Sequence, residues 1–133
     1  MSIVKMNYPI FIYCKDDRSI RIHFDKESFN HYEQIDVESG LYSGWDVNGY
    51  PLKVLWIRNI GIKIEQISDQ SQLDNMRETI FRYVESATAY YRPDKPFVYE
   101  KTSNDFIGIL KEMKQHIQNA PFKQKIINFF RRF

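Results

Sequence analysis

Residues 41–57 read LYSGWDVNGYPLKVLWI, and they decide the fold. Leu41, Ser43, Trp45 and Val47 alternate with Tyr42, Gly44 and Asp46, the period-two pattern of a β-strand. Asn48 and Gly49 are the strongest hairpin signal in the chain, because both residues tolerate the positive φ that a type I′ turn demands. The chain then returns through 52–57, and Arg58 and Asn59 turn it again. Ile60, Ile62 and Ile64 alternate with Gly61, Lys63 and Glu65 in a further strand. Upstream, 8–15 is apolar on both faces and suits a central strand. A short polar link, Lys15, Asp16, Asp17 and Arg18, leads into Ile20, Ile22 and Phe24, which alternate with Arg21 and His23. Short links predict neighbouring, antiparallel strands. Between these hairpins, residues 25–32 read as a brief helical turn capped by Asp25.

The period changes near residue 68. Ser68, Asp69, Gln70 and Ser71 supply capping residues, after which Leu73, Met76, Ile80, Val84 and Ala87 follow helical spacing. Pro93 and Pro96 end that helix. Thr102, Ser103, Asn104 and Asp105 cap a second, carrying Phe106, Leu110, Met113 and Ile117. Pro121 suits the first turn of a third, with Phe122, Ile126, Phe129, Phe130 and Phe133 on one stripe. The expected fold class is α+β: an antiparallel sheet of about five strands in the N-terminal two-thirds, covered by about three C-terminal helices. No linker, repeat or low-complexity segment interrupts residues 1–133, which read as a single domain.

The composition, 43% hydrophobic and 27% charged, is that of an ordinary globular chain. One cysteine, Cys14, allows no intramolecular disulfide. The opening residues lack the basic-then-apolar layout of a signal peptide, and no apolar run reaches the length of a membrane span. The expected compartment is the cytoplasm, with no membrane partner. A net charge of +2 is too small to imply nucleic acid, but it is unevenly spread. Residues 25–50 carry six acids against Lys26 alone, a balance of −5, whereas 113–133 carry five bases and no acid.

Motifs that carry chemistry are missing. His23, His31 and His116 have no second ligand at metal-site spacing, so no metal is expected. Cys14 on a strand reads as a small buried hydrophobe rather than a nucleophile. Asp16 and Asp17 are ordinary turn residues. The five glycines form neither a phosphate loop nor a dinucleotide fingerprint, so no cofactor and no catalytic residue is assigned. The basic aromatic stripe of 122–133 reads as a sheet-covering face in preference to a membrane or nucleic-acid surface.

The acidic stretch is the strongest candidate site. Glu33, Asp36, Glu38 and Asp46, interleaved with Tyr42 and Trp45, are the residue types that bind a protein partner with a basic surface. Carboxylates give rate and selectivity, and rings give contact area. Tyr42 and Asp46 share a strand face opposite Trp45, which aligns with Leu41 and Val47 and so also reads as core. The aromatic content is compatible with a homodimer as well. A second reading, from a different class, is a small enzyme or ligand-binding domain with a pocket between sheet and helices lined by Tyr13, His23, Tyr83 and Tyr90.

Trp45, Asp46, Gly49, Pro51 and Leu52 form an aromatic-Asp-x-x-Gly-x-Pro-Leu hairpin over residues 45–52. That segment, with the small sheet-then-helices layout, resembles immunity proteins that bacteria encode beside polymorphic toxins. The resemblance covers eight residues and implies a non-catalytic inhibitor that occludes a cognate toxin. It assigns no site residues.

Overall fold

The computed structural model describes residues 6–29 and 31–121. These fall into two compact units that divide between Met76 and Arg77.

The first unit is a five-stranded antiparallel sheet with its own cover on one face. The strands are β1 (Ile10–Cys14), β2 (Ile20–His23), β3 (Tyr42–Asp46), β4 (Pro51–Ile57) and β5 (Gly61–Gln66), in the order β2-β1-β3-β4-β5. The sheet thus ends at Gln66, about the middle of the chain rather than at two-thirds. Three of the four links are tight hairpins. The fourth, residues 24–41, carries the chain from the edge strand β2 to β3, which pairs with β1 and not with β2. Along it lie a 3-10 turn (Lys26–Ser28) and a short helix, α1 (Gln34–Glu38). The turn at Asp25 holds without a side-chain cap; instead the Ser28 hydroxyl donates back to the Asp25 carbonyl at 2.8 Å.

The register sorts the side chains onto two faces. Ile10, Ile12 and Cys14 of β1 lie beside His23 and Arg21 of β2 and beside Asp46, Gly44 and Tyr42 of β3. Leu52 and Val54 of β4 continue that face, and the crossing link covers it with Tyr32 and Val37. Together these residues form one buried cluster, with Phe29, Leu41, Trp56, Ile62 and Ile64 packed around it. Burying this many aliphatic and aromatic side chains is worth about 1.5–3 kcal/mol for each large one. The opposite face is buried at Phe11, Ile20 and Trp45.

Gly44 is required by the closeness of β1. A Cβ there would stand 2.3 Å from the Phe11 carbonyl oxygen, a backbone atom that cannot step aside. The β3–β4 turn differs from the type I′ expectation. Only Gly49 of the Asn48–Gly49 pair has positive φ, at 86°. Gly49 N–H donates to the Asp46 carbonyl and Asp46 N–H to the Tyr50 carbonyl, both at 3.0 Å, so the loop holds three residues rather than two. The reason lies in Asp46, whose carboxylate takes up the N–H groups that a two-residue turn would leave to the backbone.

The start of α2 (Leu73–Tyr91) is tied to this turn. Gln72 N–H donates to the Gly49 carbonyl at 2.7 Å and the Ser71 hydroxyl to the Asn48 carbonyl at 2.6 Å.

The second unit contains the rest of α2, the connection 92–105 and α3 (Phe106–Gln118). Asp105 caps α3, its Oδ1 accepting from Gly108 N–H at 3.1 Å, as the sequence predicts. Ile80, Val84, Phe81, Phe106, Leu110 and Met113 are buried, and the Phe81 ring meets Tyr99 and Phe106 edge-on. Polar ties hold the connection. Arg77 binds the Ser103 carbonyl and the Asn104 side chain, Tyr99 donates to Glu85, and Arg92 donates to the His116 carbonyl. The α+β arrangement is therefore present, with the sheet N-terminal and helices α2 and α3 C-terminal. The third helix expected from Pro121 onward lies outside the described residues.

Candidate functional site

Of the six residues singled out for a partner, Glu33 and Glu38 are exposed and Asp36 is half-buried, all on or next to α1. Tyr42, Trp45 and Asp46 are buried, at 8%, 7% and 0% exposure. Tyr42 and Asp46 do share a face opposite Trp45, but that face is the one roofed by the crossing link.

Asp46 is a structural hub. Its Oδ1 accepts from Asn48 N–H at 2.9 Å and Tyr50 N–H at 3.0 Å, and its Oδ2 from Asn7 N–H at 3.2 Å. Three backbone donors satisfy the carboxylate from within, which leaves it no free face for a partner. Tyr42 packs edge-on against Tyr32, with ring centroids 4.8 Å apart, and the Arg21 guanidinium sits over both rings.

What remains on the surface is the acidic flank of α1. Glu33 and Glu38 project there, and Ile35 between them is 73% exposed. Beside it lies a groove of about 480 Å³ with an apolar floor of Val37, Leu52, Val54 and Trp56 and a rim that includes Glu38 and Lys53. The groove exists because β4 outruns β3. Ser43 pairs with Lys53, so Leu55, Trp56 and Ile57 extend beyond the first residues of β3, and α1 packs along β4 at that end. A second hollow, about 410 Å³, lies between Met6, Tyr8 and Phe29 and the β5 residues Ile62 and Ile64.

The most chemically suggestive cluster is His23 with Ser28 and Tyr32. His23 Nδ1 lies 2.8 Å from Ser28 Oγ, and Nε2 lies 2.5 Å from the Tyr32 hydroxyl. The Ser28 proton is directed to the Asp25 carbonyl, so Nδ1 must donate to Ser28 and Nε2 must accept from Tyr32. Every member then has a partner, and the imidazole is held neutral. Burial, followed by the neighbouring Arg21 charge, pushes the His23 pKa down, against a smaller opposing pull from Asp25. Burial likewise pushes the Tyr32 hydroxyl up to about 12. Both residues are more than nine-tenths buried, so this chain ties the crossing link to β2.

Tyr13 and His23, which the pocket reading placed together, lie on opposite faces of the sheet. Tyr13 pairs with Ile20, whereas His23 pairs with Ile10, three residues away on β1. Cys14 is a free thiol, buried in the sheet core. Among the described residues no three His, Cys, Asp or Glu side chains converge as a metal site needs, and no helix is long and apolar enough to cross a membrane.

Comparison with known proteins found no matching family model, no matching curated protein and no matching solved structure.

The groove was not legible in the sequence. Ile35 and Val37 are two residues apart and lack helical spacing, so the sequence predicts no helix at α1. That Val37 turns inward and Ile35 outward follows from the helix, not from the composition.

Proposed function

We propose that this protein is a non-catalytic binding module that engages a protein partner with a basic surface, through α1 and the adjoining groove. The observation that carries the reading is the pairing of exposed Glu33, Glu38 and Ile35 with a groove whose floor is apolar and whose rim is charged. An apolar side chain of the partner would enter the groove over Val54 and Trp56. Lys or Arg residues around it would pair with Glu33, Asp36 and Glu38. Tyr42, Trp45 and Asp46 act from beneath, holding β3 in place, rather than by contact. Occlusion of a basic partner is the action expected of an inhibitor, and the hairpin resemblance at 45–52 suggests an immunity protein. A reducing compartment, the cytoplasm, suits the free Cys14.

The competing pocket reading has less support. Its four residues include two on opposite sheet faces, and the histidine is fully engaged.

The test is retention of proteins from the source cell on immobilised wild-type chain and on E33K/E38K, with elution by salt. The captured protein is then purified and its Kd measured against both. A basic protein whose Kd rises at least about tenfold with the double reversal supports the reading. Equal affinity for both chains removes α1 from the interface and ends it.

A further inference from the structure

β5 is the outer strand of the sheet, and among the described residues no strand pairs with its far side. Its near side is fixed by β4. Ile67 N–H donates to the Pro51 carbonyl at 3.1 Å, and Glu65, Lys63 and Gly61 lie opposite Lys53, Leu55 and Ile57. In an antiparallel ladder, hydrogen-bonded and non-bonded pairs alternate. Counting in twos from Ile67, residues 65, 63 and 61 direct N–H and C=O toward β4. Ile62, Ile64 and Gln66 therefore turn theirs outward, three donors and three acceptors along an edge that no strand among the described residues pairs with. A hollow of about 410 Å³ lies between this strand, at Ile60, Ile62, Lys63 and Ile64, and the residues Met6, Tyr8, Lys26 and Phe29.

We infer that β5 pairs with β5 of a second copy of this chain, antiparallel about a two-fold axis at Ile64, joining two sheets into one. The register follows from the outward groups. Only an axis at Ile64 sets all three against their counterparts, Ile64 facing Ile64 and Ile62 facing Gln66 in hydrogen-bonded pairs. That same register places Lys63 of each copy opposite Glu65 of the other in the non-bonded pairs, where side chains stand closest. Both side chains are about half exposed and lie 3.2 Å apart within one strand, so four charges alternate in sign across the axis. The register also sets Ile67 of one copy opposite Gly61 of the other, beside Ile60. Ile60 and Ile67 are 78% and 59% exposed, and nothing stands within 4 Å of where a Gly61 Cβ would be. Two exposed isoleucines thus find cover at each end of the paired strands.

A lone lysine on an edge strand ordinarily repels further strands. Here the same strand carries the carboxylate that neutralises it in a two-fold mate, and this self-complementarity selects a second copy over an unrelated strand. An isologous two-fold interface is also the commonest way for identical chains to associate. The inference does not rest on the groove beside α1, although Ile67 also lines that groove.

Sedimentation equilibrium on the full chain tests it, with wild type, K63E, E65K, K63E/E65K, and an equimolar mixture of the two single variants. Wild type is expected to dimerise. Each single reversal sets like charges opposite each other and raises the dimer Kd at least about tenfold. The double variant restores opposite signs and returns Kd to within about threefold of wild type, and the mixture forms heterodimers. The altered side chains are on the surface, and circular dichroism verifies that each variant is folded. A wild-type chain that stays monomeric at about 200 μM overturns the inference. So does a dimer whose Kd ignores the single reversals, or a double variant and mixture that fail to recover.

Discussion

Replacing Asp46 by alanine removes, in one step, the acceptor for three backbone N–H groups. Asn48 and Tyr50 donate to one oxygen and Asn7 to the other, and the carboxylate itself has no exposed surface. A hydrogen bond to a charged group contributes about 1.5–3 kcal/mol net, and a buried donor left unpaired costs a comparable amount. The three are not additive, because Asn48 and Asn7 are exposed enough for water to replace part of what is lost. We therefore expect D46A to destabilise the chain by about 3–5 kcal/mol, a large part of the total for a domain of this size. D46N keeps one carbonyl oxygen for the turn but directs an amide at Asn7 N–H, and should cost about 1–2 kcal/mol. Urea unfolding followed by tryptophan fluorescence reads both. With a slope of about 2 kcal/mol per molar, the D46A midpoint falls by about 2 M. A D46A midpoint within about 0.3 M of wild type would refute the assignment of Asp46 as the hub of the turn. If that variant were stable and had lost partner binding instead, Asp46 would belong to the interface after all.

His23 gives a pH dependence whose sign can be worked out. Its folded pKa lies below the ordinary value of 6.5, so between those two values the unfolded chain binds more protons than the folded one. Stability is full above about 6.5 and is lost as pH falls through the folded value; H23Q should flatten that part of the profile measured by denaturant unfolding. Y32F leaves His23 Nε2 without its donor and is expected to cost about 1–3 kcal/mol in the same assay. G49A forces alanine to φ 86°, with its Cβ 2.8 Å from the backbone N and Cα of Leu73, and should lower stability by about 2 kcal/mol in thermal unfolding. D105A removes the α3 cap and is expected to cost about 1 kcal/mol by urea titration, while D105N stays close to wild type.

Much of the architecture was legible because period and punctuation agree. Alternation in 41–57 and 60–65, with turn residues between, sets strands of fixed face, and Asp105 before Phe106 marks a helix start wherever it occurs. These are local signals, acting over a few residues, and they do not depend on what lies across the sheet. The burial of Tyr42 and Asp46 was not legible for the same reason. Strand alternation says that Asp46 and Tyr42 share a face, but not that the chain returns over that face between His23 and Tyr42. A carboxylate in the sequence looks like a surface charge until three distant or neighbouring N–H groups are seen to converge on it.

The sequence by itself determined the antiparallel strands, the approximate starts and stops of α2 and α3, and the acidic balance of 25–50, since each follows from local periodicity or a count. Only the tertiary structure decided which of those acids reach solvent. It also decided that β3 inserts between β1 and β4, that β4 outruns β3 to open a groove, and that β5 is left as an edge. The physical reason is that burial and strand order come from contacts between residues far apart in the chain. No window of sequence contains both partners of such a contact.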